Sequence, residues 1–108
     1  MKISLLTVTY KTPVYSQVVL SSFEKYKPDD LDVEYVVVEN SDSKKGFDVL
    51  EDRVGNLKYI NNPTSEIGSM ANGVGIEVGK THIREDSEWV FVCHSDVCVI
   101  SGKFFNEF

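Results

Sequence analysis

Only two cysteines, three prolines and one tryptophan occur among the 108 residues, and no basic run is longer than Lys44-Lys45. Each scarcity removes a class of protein. Two thiols cannot build the disulfide framework on which small secreted domains depend. Cys93 and Cys98 lie five apart near one strand end, where an extended backbone points them to different sides. The expectation is a pair of small buried hydrophobes rather than a disulfide or a metal pair. A formal charge of −6 without a basic cluster repels a phosphate backbone, so no nucleic-acid partner is expected. Long hydrophobic runs are missing too. Ile3 to Val8 is apolar, but Lys11 and Thr12 end the run too early for a signal peptide or a membrane span. A cytoplasmic location, or the cytoplasmic face of a membrane, is the resulting expectation.

What is present points to a packed domain. Hydrophobic residues make up 42% and charged residues 26%, a balance that favours one folded domain over 1–108 and disfavours disorder. Three runs, Ile3 to Tyr10, Val33 to Val38 and Trp89 to Cys93, are apolar and β-branched almost without interruption, as strands covered on both faces are. A shorter run, Leu57 to Ile60, sits between the turn signals Gly55-Asn56 and Asn61-Asn62-Pro63. Helical patterns separate them. Thr12 can cap a helix with Pro13 at its first position, and Tyr15, Val19, Phe23 and Tyr26 then share a face up to Pro28. Ser43 can cap a second helix carrying Phe47, Leu50 and Val54. A third begins near Thr64 or Ser65 and carries Ile67, Met70, Ala71, Val74 and Val78. His82 to Glu88 reads as a loop. The order βαβαβαβ predicts an α/β fold: a mainly parallel sheet with helices on both faces, three layers in the Rossmann manner.

In such sheets ligands bind beyond the carboxyl ends of the strands. Those ends are Thr9-Tyr10-Lys11, Glu39-Asn40-Ser41-Asp42 and His94-Ser95-Asp96. A dinucleotide fingerprint would need G-x-G-x-x-G where Tyr10-Lys-Thr-Pro-Val14 stands, and a P-loop would need a glycine at Val74, so both readings fail. Glu39 can reach over a strand end to ribose hydroxyls or a base N–H, against the plainer reading of a solvated acid opening a turn. Asp42 is better explained as cap chemistry. Gly68, Gly73, Gly75 and Gly79 crowd one helix, where each costs about 0.5–1 kcal/mol relative to Ala. Close approach to a ligand or to the sheet would offset that cost, and packing on the sheet accounts for Gly75 and Gly79 at least as well. Asn72 is the polar residue there best able to touch a ligand. His94 and Asp96, two apart, could share one divalent cation carrying a diphosphate, though His-x-Asp also occurs in ordinary turns.

Taken together these positions resemble family 2 glycosyltransferases of the GT-A fold. In that family an apolar first strand ends in a short polar loop, as Ile3 to Lys11 does. A second strand ends in an acid followed by small polar residues, as Val36-Val-Val-Glu-Asn-Ser-Asp42 does. An Asn-rich turn and an Ala/Asn/Gly helix follow, much like Asn61-Asn-Pro63 and Gly68 to Gly75. A strand with an early aromatic then ends in Asp-x-Asp, here Trp89 to Asp96. There are departures: His94 replaces the first acid, Glu39 replaces the usual Asp, and Asn72-Gly-Val-Gly75 is one residue out of step with Asn-x-Gly.

The resemblance implies that a nucleoside diphosphate sugar, a UDP-sugar first among them, is bound with Mn²⁺ or Mg²⁺ for transfer to an acceptor hydroxyl. Thr9, Tyr10, Glu39 and Asn72 would hold the nucleotide, and Asp96 with His94 the metal and diphosphate. The family's catalytic base and acceptor segment lie well beyond the metal motif. The chain is therefore expected to be a truncated half-domain, unable to transfer sugar alone and prone to form homo-oligomers through uncovered apolar surface. Two rivals stand beside this reading. One is a non-catalytic nucleotide- or sugar-nucleotide-binding module. The other is a flavodoxin- or receiver-like signalling domain, which would want an acid cluster after the first strand, where Thr9-Tyr10-Lys11 has none.

Overall fold

The two most apolar runs form the strands β1 (Lys2–Thr9) and β2 (Asp32–Glu39), buried along nearly their whole length because both faces are covered. With β3 (Leu57–Asn61) and β4 (Trp89–His94) they make a four-stranded sheet, all parallel, in the order β3-β2-β1-β4. Helices α1 (Pro13–Tyr26), α2 (Lys45–Leu50) and α3 (Gly68–Lys80) make the crossovers, and a 3₁₀ helix at Gly102–Glu107 follows β4. This is the expected βαβαβαβ order. The structure, a computed structural model, describes residues 1–51, 53–94 and 98–107. Among these no helix is long and apolar enough to cross a membrane.

The period-2 alternation of the strands separates two cores. Ile3, Leu5, Val33, Tyr35 and Val37 face α1 and α2, where they meet Val19, Leu20, Phe23 and Leu50. Leu6, Val36 and Val38 face α3, with Val8, Ile76 and Val78 packed around them. The first core is centred on Phe23, whose ring stands edge-on to Tyr35 at 6.1 Å and to Phe105 at 4.9 Å. The buried face of α1 is Ser16, Val19, Leu20 and Phe23, rotated from the face expected, so Tyr15 points to solvent. Thr12 does precede the helix, but its hydroxyl shares a hydrogen bond with Thr9 Oγ1 at 2.6 Å instead of capping a helical N–H. Helix α2 is shorter than the pattern suggests. It starts after Lys44, Ser43 Oγ merely accepts from the Lys45 N–H at 3.3 Å, and Val54 is buried beyond its end.

Helix α3 departs most from its sequence pattern. It begins at Gly68, because Thr64 Oγ1 turns the chain by accepting the Glu66 N–H at 3.2 Å. Its apolar stripe faces outward at one end, with Ile67 84% and Met70 63% exposed, while Gly75 and Gly79 are buried against the sheet. A Cβ on Gly75 would lie 2.5 Å from Val8 Cγ1, and one on Gly79 would collide with Leu6 Cδ1. Backbone-to-sheet contact at the glycines thus adds to the packing of Ile76 and Val78. The cysteines also differ from expectation. Cys93 is half-buried, Cys98 is exposed, and both line the same cavity on the α1 side, because Val99 donates its N–H to Ser22 Oγ at 2.9 Å and draws the chain back over α1.

The amino ends of the strands are tied by a buried carboxylate. Glu34, 1% exposed, accepts from Ser4 Oγ at 2.6 Å and from the Arg84 N–H at 3.1 Å, and pairs with Lys58 Nζ at 2.5 Å. Arg84 also donates to the carbonyls of Ile3 and Asp32 at 3.0 and 2.8 Å. The polar loop expected at 82–88 is therefore pinned across β1 and β2.

Two predictions follow from this packing. Gly79→Ala should lower unfolding free energy, since overpacking costs about 1–3 kcal/mol against a helix gain of about 0.5–1 kcal/mol. Gly73→Ala, where an added Cβ meets nothing within 4 Å, should instead stabilise by about 0.5–1 kcal/mol. Urea unfolding of both variants measures the contrast. Burial alone would raise the Glu34 carboxyl, but the bonds from Lys58, Ser4 and Arg84 outweigh it and hold it below its ordinary 4.5. A depressed carboxyl contributes its stability above the ordinary value and loses it as pH falls through the folded value. Stability should therefore be level down to about pH 4.5 and drop below it, with a smaller drop in Glu34→Gln, as thermal melts across pH would show.

Candidate functional site

β1 is left through α1 toward β2 on one face, while β4 is reached by way of α3 on the other. The chain therefore diverges at the carboxyl ends of β1 and β4, which are neighbours with Val8 opposite His94. Such a divergence opens a crevice. A cleft of about 700 Å³ lies there. Its walls come from Thr9, Tyr10 and Tyr15 around the β1–α1 turn, Asn40 after β2, the 64–68 segment, Asn72 of α3 and His94 of β4.

The β1–α1 turn has an unusual backbone. Lys11 adopts φ 53°, left-handed and strained for a residue with a side chain. Glu39 holds it there, with both carboxylate oxygens accepting the Lys11 N–H at 3.0 and 3.1 Å. Glu39 is only 2% exposed and its partner Thr9 lies opposite in register. Its charge also pushes the nearby Tyr59 hydroxyl up to about 12, after burial as the larger cause. The turn presents Tyr10, 59% exposed, with Lys11 Nζ 5.3 Å from its ring centre.

The opposite wall is the first turn of α3. Its initial N–H groups lack intrahelical partners, and Gly68 enters it with φ +59°. Asn40 anchors this wall: its Nδ2 donates to the Ala71 carbonyl at 2.8 Å, and its Oδ1 accepts from Asn62 Nδ2 at 3.1 Å. Asn72 and His94 come together here and also line a smaller recess of about 100 Å³ beside Val8 and Ile76.

Of the residues singled out from the sequence, Thr9, Tyr10, Asn72 and His94 share this cleft. Glu39 lies behind the turn and acts on Lys11. Asp96 lies outside the described residues. Among the described residues no group of three or more His, Cys, Asp or Glu is placed to hold a metal ion. Asn40 and Tyr15 were not anticipated. Asn40 follows a strand and could have been found by its place, whereas Tyr15 looks like a core residue in the helical pattern. Polar strand-end donors facing an unpaired helix start suit a ligand with an anionic group next to a flat ring.

No family model matches the chain, and no curated protein matches it by sequence. Solved structures do match by shape. TarS of S. aureus, a glycosyltransferase, superposes with a TM-score of 0.71 at 22% identity, over 99% of this chain and 19% of that one. The structure of S. aureus TarS 1-349 gives 0.67 at 22%, over 99% of this chain and 31% of that one. S. aureus TarS 1-349 in complex with UDP-GlcNAc gives 0.69 at 23%, over 99% and 30%. The chain thus spans less than a third of each of these proteins. The chain shares the fold of that part of TarS.

Removing the Glu39 carboxylate should release the strained turn. Glu39→Ala is expected to cost about 1–3 kcal/mol in urea unfolding, the range for stranding a hydrogen-bonded partner. Glu39→Gln, which keeps one carbonyl acceptor for the Lys11 N–H, should cost less.

Proposed function

We propose that the chain, as one domain over 1–108, is the nucleotide-sugar-binding part of a glycosyltransferase and takes a nucleoside diphosphate sugar into the cleft between β1 and β4. A UDP-sugar is the first ligand to test. The observation that carries this reading is the convergence of Thr9, Tyr10, Asn72 and His94, drawn from three separate strands and helices, on one cleft at the switch point. The UDP-GlcNAc complex of TarS 1-349 supports the ligand class. Tyr10 offers an exposed ring on which a base can stack. Thr9 sits at the end of β1 below it, and Glu39 serves the nucleoside by fixing Lys11 and so the Tyr10 ring. Asn72 and the free N–H groups at the start of α3 face the side where a diphosphate would lie.

A divalent cation, Mn²⁺ or Mg²⁺, fits the donor chemistry only as an ion shared with the ligand. Such ions are commonly held by one or two side chains plus phosphate oxygens, so a full protein cluster is not required. His94 opens into the cleft, and Asp96, two residues on in the sequence, would be its companion ligand. When bound, the cation would neutralise the departing diphosphate. In the complete protein the sugar would go to an acceptor hydroxyl.

Uridine diphosphate with Mn²⁺ or Mg²⁺ should raise the melting temperature, with about 2.7 kcal/mol of added stability at 100 times Kd. A melt unmoved by millimolar nucleotide and metal counts against the reading. Tyr10→Ala should fold normally and bind about 1–3 kcal/mol more weakly, roughly 5- to 150-fold in Kd, the range for lost stacking on a base. His94→Asp should bind metal and nucleotide at least as well as the native chain, because a hard oxygen suits these ions better than imidazole. Titration calorimetry reads both, and weaker binding by a folded His94→Asp would assign the imidazole to the ligand instead.

A further inference from the structure

On the other face of the sheet from α3 lies a second cavity, of about 290 Å³. Leu5, Phe91 and Cys93 floor it from the strands, Phe23 closes it from α1, and the chain from Cys98 to Phe104 passes over it. Both ends of this arrangement are fixed. Cys93 is held in register opposite Thr7 by the β1–β4 pairing. On the far side, Val99 is tied to α1 by its N–H to Ser22 Oγ at 2.9 Å, so the residue before it, Cys98, is brought over the cavity. Phe104 then packs edge-on to Phe91 at 5.4 Å and to Phe23 at 5.9 Å. Cys93 and Cys98 thus line one and the same cavity.

We propose that Cys93 and Cys98 are an oxidisable pair, a disulfide modification site that closes across this cavity. The oxidant is a small soluble disulfide such as oxidised glutathione. Cys98 is exposed and reacts first: its thiolate attacks one glutathione sulfur, forming a mixed disulfide and releasing one glutathione thiolate that takes up a proton. Cys93 then loses its proton and displaces the second glutathione from Cys98. Two protein thiols are oxidised and one glutathione disulfide is reduced to two thiols. The order of steps is set by access, since Cys98 is exposed and Cys93 is half-buried. Closure needs the two Cα atoms about 4.4–6.8 Å apart. The resulting ring contains His94, so oxidation also constrains the end of β4 at the cleft.

The test is on the unmodified 108-residue chain, equilibrated with a series of reduced-to-oxidised glutathione ratios, quenched in acid and weighed intact. The expected product is a monomer lighter by two hydrogens, with Cys93 and Cys98 joined in its peptide map and a melting temperature raised by several degrees. Cys93→Ser should stop at one glutathione adduct on Cys98, and Cys98→Ser should form no internal bond. The proposal is overturned if the unmodified chain accumulates a glutathione adduct on Cys98 beside a free Cys93. Disulfide-linked dimers, or a dithiol that persists through the whole series, overturn it equally. None of these readouts depends on whether the cleft binds a nucleotide.

Discussion

Helix α3 lies so close to β1 and β2 that two of its residues have no room for a side chain. Gly75 and Gly79 meet Val8, Leu6 and Val38 directly, and this contact sets the height and tilt of the helix over the sheet. The position of its first turn follows. So does the placing of Asn72 near His94, which belongs to a strand far away in sequence. A helix standing off on larger side chains would move its free N–H groups away from the strand ends. The bond from Asn40 to the Ala71 carbonyl could not then reach.

The other wall of the cleft depends on a carboxylate that never enters it. Glu39 stabilises a left-handed Lys11, and that backbone reversal turns Tyr10 outward while Thr9 stays buried. A strained residue at a strand end persists only when its surroundings over-determine it, and here two oxygens and a buried position do so. Both walls are therefore positioned by residues of β2 and its end, Glu39 and Asn40, although the cleft lies beyond β1 and β4.

β1 and β2 were legible in the sequence because they are covered on both faces, so that Ile3 to Val8 and Val33 to Val38 read as unbroken apolar runs. Trp89 to Cys93 read the same way, yet β4 is an edge strand that exposes Trp89, Val90 and Val92. The crevice was legible too: the order of elements fixes where strand ends gather. The helices were less so. An apolar stripe normally marks a buried face, but α3 exposes Ile67 and Met70 and buries glycines, so the stripe reaches the core only at its carboxyl end, through Val78. Tyr15 failed similarly, since spacing alone could not separate the 15–19–23 face from the 16–19–20–23 face that α1 buries. Glu39 was read as reaching a ligand, but its carboxylate lies behind the turn on the Lys11 N–H, a bond that depends on φ at Lys11, which sequence does not specify. Alternation in an extended chain placed Cys93 and Cys98 on different sides. The return of the chain at Val99 cancels that rule.

The Glu34 network gathers at the amino ends of the strands, with Lys58 and Arg84, while the cleft opens at their carboxyl ends. One pole of the sheet thus holds a buried charge cluster, and the other holds the open cleft. Mutational drift at Tyr10, Asn72 or His94 can proceed without touching the residues that secure the fold. Such a separation makes a scaffold evolvable: the cleft can be rewritten at one pole while the stability threshold is kept at the other.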